Sequence, residues 1–137
     1  MKNYLFALLI FFTATALAQT DTRIYDIIQK VSAKNIEADI TTLANFGTRN
    51  TFSDTLSSTR GIGAARRWIK AEFQQISSNC TNCLEVFYQK DLVKATTSKR
   101  VPKDTWVVNV VAIQKSKTGS NRYIIISGDI DSRNSDG

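Results

Sequence analysis

The chain has 137 residues, 42% of them hydrophobic, and a formal net charge of +6 from 18 Lys and Arg against 12 Asp and Glu. That length suits one modest domain, and with no histidine and two cysteines the sequence offers few of the usual metal ligands. Basic residues at Arg66-Arg67-Lys70, Lys99-Arg100-Lys103 and Lys115-Lys117 are dispersed over a helix and two loops, whereas a nucleic-acid binder would gather them on one face with interleaved aromatics, so no nucleic-acid partner is expected.

Residues 1–18 read as a secretory signal peptide. Met1-Lys2-Asn3 supplies a positive start and Tyr4 to Phe12 an uncharged apolar core. Ala16-Leu17-Ala18 gives a small-residue cleavage site, leaving Gln19 as the new N-terminus. The apolar run is too short for a membrane helix, and no cysteine follows the cleavage site to carry a lipid. A secreted or periplasmic protein is expected, free of the membrane after cleavage, with residues 19–137 as its mature part.

Ile24, Ile27, Ile28 and Val31 have the spacing of a helical stripe between Thr20 and Val31. Ser32 is an N-cap for a second helix carrying Ile36, Ile40 and Leu43, which Phe46-Gly47 stops. A polar, turn-rich surface loop follows from Gly47 to Ser58. The pattern predicts a third helix from Thr59 to Ile76, with Ile62, Ala65, Ile69, Phe73 and Ile76 buried and Trp68 flanking. Cys80 and Cys83 lie in a loop composition, and export makes a local disulfide the default. A redox motif would instead open a helix after a strand, and a structural zinc site would need a second ligand pair.

Beyond the cysteines the period turns extended. Leu84 to Lys90 partly alternates, as an edge strand does, and Trp106 to Ile113 is an almost continuous apolar strand. Between them lies a polar connection, Thr96 to Lys103, holding the only proline, Pro102. The turn from Lys115 to Asn121 is short enough that the strands it joins must pair antiparallel. The third strand would be Tyr123-Ile124-Ile125-Ile126, buried on both faces. Asp129 and Asp131 follow it, and alternation along a strand puts both carboxylates on one side of its C-terminal end. Crevices form there in open α/β sheets, and paired carboxylates suit a hard or borderline cation. The alternative is a solvated turn in which each carboxylate caps backbone N–H groups. A sheet with such a central strand needs more strands and helices than these residues supply, so the chain reads as the N-terminal piece of a longer domain.

Four segments, in order, resemble the start of the M28 family of exported zinc peptidases: Leu43 to Arg49, Gly61 to Ile69, Val108 to Ala112 and Tyr123 to Arg133. The resemblance implies a three-layer α/β/α sandwich with a mixed β-sheet, incomplete here. It also implies two zinc ions at strand ends, a peptide substrate and aminopeptidase-type hydrolysis. The family's first metal motif, His-x-Asp-Ser, falls on Asp129-Ile130-Asp131-Ser132. Asp131 and Ser132 match, and Asp129 stands where the histidine ligand is expected. The resemblance thus implies Asp129 as metal ligand and Asp131 as the catalytic-site carboxylate that orients it. An imidazole would donate its second N–H to that carboxylate. Asp129 has no such proton to give, and two ionised carboxylates repel unless a cation lies between them.

The general base and remaining ligands of the family fall beyond Gly137, so the piece alone is expected to be inactive. Two other readings keep the same fold: a binding module that has lost its metal, and a glutaminyl-cyclase-like relative. Arg49 and Arg133 read either as contacts for a substrate carboxylate or as structural ion pairs.

Overall fold

The computed structural model describes residues 21–97 and 99–132. The signal-peptide reading at residues 1–18 and the reading of Arg133 lie outside the described residues. The chain divides into two compact units, residues 1–37 and 38–137.

In the first unit, helix α1 spans Thr22–Gln29. Asp21 caps it: its carboxylate accepts from the Arg23 amide at 3.0 Å and pairs with the Arg23 guanidinium. The predicted stripe does form a helix, but Ile24, Ile27, Ile28 and Val31 are all more than half exposed. Helix α2, Ala33–Asn45, starts on Ser32, whose hydroxyl accepts from the Asn35 amide at 3.2 Å. It crosses into the second unit and stops where Gly47 turns left-handed at φ 69°, as the sequence predicted.

The second unit is built around helix α3, Gly61–Asn79, and the antiparallel pair β1, Leu84–Val93, and β2, Thr105–Gln114. The pairing runs from Leu84 opposite Gln114 to Val93 opposite Thr105. Ser77 ties the end of α3 to the start of β1, its hydroxyl donating to the Leu84 carbonyl at 3.0 Å and accepting from the Leu84 amide at 3.1 Å. Between them Cys80 and Cys83 form the expected disulfide, with Cα atoms 5.4 Å apart. A single 3-10 turn, Ala95–Thr97, begins the β1–β2 connection, which Asp104 closes by bonding Lys94 and the Ala95 amide.

The helix lies on one face of the hairpin. Lys70 of α3 stands 4.5 Å above the Tyr88 ring, and cross-strand register puts Val110, Lys90 with Val108, and Leu92 with Trp106 on that same face. The core is small: Ile62, Ala64 and Ala65 are the buried apolar residues among those described. Ile69 and Phe73 are half-buried, and Ile76 at the end of the predicted stripe is exposed.

The predicted third strand is the main difference. Residues 119–132 have no regular secondary structure, and Tyr123, Ile124, Ile125 and Ile126 are 87–93% exposed. A strand buried on both faces needs partners on either side and layers above and below. The described residues supply neither, so the apolar run lies bare. They form three helices and a two-stranded antiparallel sheet, a mixed α/β arrangement.

Candidate functional site

The acidic turn is held by Arg49. The Arg49 amide donates to the Ser132 hydroxyl at 2.8 Å, and the Ser132 amide donates to the Arg49 carbonyl at 3.4 Å. The Arg49 guanidinium reaches further: Nε donates to the Ile130 carbonyl at 2.9 Å, and Nη1 donates to the carbonyls of Leu43 and Gly47. Leu43 lies in the last turn of α2, where its carbonyl also accepts from the Phe46 amide at 3.3 Å. One planar group therefore satisfies the end of a helix, the loop behind it and the residue between the two aspartates. Its rigid fork of donors suits this, where a lysine would supply one flexible point charge.

Among the described residues Arg49 makes no ion pair, so the structural ion-pair reading does not hold there, and the side chain works as a strut between backbone carbonyls. Ile130 and Ser132 are partly buried by the contact, whereas Asp129 and Asp131 remain exposed. Among the described residues neither aspartate makes a hydrogen bond or an ion pair. The solvated-turn alternative had each carboxylate capping backbone amides, and no such cap is present among the described residues.

As a zinc site the turn is incomplete. Two carboxylates are donors of the right kind, but among the described residues no three His, Cys, Asp or Glu side chains come together.

A second feature escaped the sequence reading. The Gly47–Ser58 loop, expected to lie on the surface, folds over the first turn of α3. Arg60 at the N-cap makes no capping bond with its side chain. The loop and the residue before it supply the acceptors: Phe46 carbonyl to the Gly61 amide at 2.9 Å, Ser53 hydroxyl to Ile62 at 3.0 Å, and Asp54 carbonyl to Gly63 at 3.0 Å. Asp54 holds the loop's own shape by accepting from the amides of Leu56 and Ser57 at 2.7 and 2.9 Å. Those bonds, with the nearby Arg67 charge adding to them, keep its carboxyl below its ordinary range. Polar, turn-rich composition gave the only signal, and it marks loops without saying what they cover.

The chain has named relatives. It is 37% identical over 116 residues to a probable zinc metalloprotease of Pyrenophora teres f. teres, a match covering 85% of this chain and 24% of that protein. It is also 37% identical over 116 residues to a probable zinc metalloprotease of Leptosphaeria maculans, covering 85% and 26%. A third, from Pyricularia oryzae, is 34% identical over 116 residues, covering 85% and 23%. The chain thus spans about a quarter of the length of the curated relatives it matches. No protein-family model matches it, and no solved structure does.

Proposed function

We propose that this chain is the N-terminal portion of an exported zinc metallopeptidase of the M28 type, acting on peptides as an aminopeptidase, with Asp129 as a metal ligand. The observation that carries the reading is similarity, over 85% of the chain, to proteins named probable zinc metalloproteases. The geometry is consistent with it, because Arg49 clamps the backbone between two solvent-facing carboxylates and thereby limits how they can move. Asp131 would be the neighbouring carboxylate that orients Asp129, and a cation bound at Asp129 would relieve the repulsion of the two charges. The remaining donors, the proton acceptor for the attacking water and the rest of a three-layer sandwich would come from the longer protein. Export rests on the signal-peptide pattern of residues 1–18.

The test is zinc content and hydrolysis in the protein extended by its downstream coding sequence. Asp129→Asn and Asp131→Asn should each weaken zinc retention about 10–100-fold, the range for ligand-supporting groups, and lower cleavage of an aminoacyl-anilide in step. Unchanged zinc in both variants would remove the turn from the site. A protein with no zinc and no hydrolysis would be the binding module that Asp129, in place of histidine, also fits. Cyclisation of a glutaminyl peptide without anilide cleavage would assign it to the cyclase-like reading.

A further inference from the structure

A groove of about 740 Å³ opens where the first turns of α3 face the far end of the hairpin, between Gly63, Arg66 and Arg67 on one side and Lys90, Trp106 and Val108 on the other. Residues 51–53, Thr55 and Lys103 to Thr105 complete its lining. It shares no residue with the Arg49 clamp or the acidic turn.

The unusual group in it is Arg66, only 8% exposed, with a buried Nε that has no hydrogen-bond partner. None of the ion pairs found among the described residues involves it. Burial pushes its proton affinity down and the Tyr88 hydroxyl opposes that, but a guanidinium stays charged at physiological pH. Nε is the one Arg66 nitrogen sealed from solvent without a partner, so the two Nη groups are the part of the fork that an anion entering the groove could reach. The other charges of the groove point the same way. Arg67 is held by the Thr55 and Ser57 carbonyls. Lys90 and Lys103 stand exposed at the rim, and the one acidic lining residue, Asp104, is already bound to Lys94.

The kind of anion follows from what the groove lacks. A phosphate is usually cradled by free amides at a helix N-terminus, and here the amides of Gly61, Ile62 and Gly63 are taken by Phe46, Ser53 and Asp54. Recognition is left to a planar guanidinium, which matches a carboxylate in two parallel bonds. Trp106, 56% exposed, and the half-buried Val108 offer an apolar wall beside it. We infer that this groove binds an acidic peptide segment, seating one Asp or Glu carboxylate on Arg66 and an adjacent apolar side chain against Trp106.

The test uses the full chain and a fluorescein-labelled peptide of alternating Glu and Leu, with the matching Gln–Leu peptide as control. The acidic peptide should bind at least about tenfold more tightly, the step expected of one charge-assisted bidentate pair, and weaken with added salt. Arg66→Met should erase the difference, and its fold is checked by circular dichroism. Should that variant unfold, Lys90→Gln combined with Lys103→Gln, both exposed, carries the test through a few-fold loss for the acidic peptide alone. Equal affinity for the two peptides overturns the inference. So does binding untouched by the rim variants, or phosphate displacing the peptide at equal concentration.

Discussion

A methyl group at Gly63 would sit 2.2 Å from the Thr55 carbonyl oxygen and 2.6 Å from its Cα, both backbone atoms that cannot swing away. Gly61 is constrained twice, by a left-handed φ of 75° and by the Asp54 carbonyl at 2.3 Å from where its Cβ would be. Glycine inside a helix normally weakens it, yet here it lets a loop approach closely enough to bond the helix's first amides. Gly63→Ala should therefore destabilise by about 1–3 kcal/mol, as overpacking does, although alanine is the better helix former. A urea midpoint at or above that of the parent would show that the loop does not press on this turn. The sequence showed the helix, because Ile62, Ala65 and Ile69 repeat along it. It could not show why glycine stands at two positions of its first turn, since the reason lies in residues 53–55.

At the scale of elements, the starts and stops of helices were legible and the partners of helices were not. Ser32 and Gly47 act on amides and dihedrals within a few residues of themselves, so their chemistry can be read locally. The Asp54 loop acts on a helix that begins seven residues later. Its hold on α3 depends on pH in a definite direction. The folded protein keeps the Asp54 carboxyl below its ordinary value near 3.8, so the unfolded chain binds the proton more readily. The stability it contributes is present above that ordinary value and is lost as pH falls through the depressed folded value. Asp54→Ala should lower the melting temperature by a few degrees at pH 7 and by progressively less toward pH 3. A gap between the two proteins that is constant across that range would rule out the carboxylate as the source.

For the whole molecule the telling feature is the bare run from Tyr123 to Ile126. Its composition marks a buried strand, but burial is a property of a complete sheet, and no reading of four residues can supply the neighbours. Such a run is an association site when exposed. The chain by itself should self-associate with rising concentration, and Ile125→Lys should suppress this by roughly an order of magnitude in sedimentation without altering the helix signal. In the longer protein proposed above the same substitution should reverse its effect, destabilising by about 3 kcal/mol or more because a charge would be buried unpaired. Improved behaviour in both contexts would mean the run is never covered. The acidic turn was partly legible by the same logic: the motif singled out Asp129 and Asp131, whereas the guanidinium that bonds the Ile130 carbonyl between them comes from 81 positions upstream.

That separation has a kinetic meaning. Closing a contact between Arg49 and Ile130 means looping the intervening chain, and such long-range closures follow the local helices and the hairpin in time. During synthesis Arg49 leaves the ribosome long before the carbonyl it will hold exists. Its bonds to the carbonyls of Leu43 and Gly47 span only a few residues, so they are expected to form before the bond to Ile130, which should gain protection from hydrogen exchange later than the helices do.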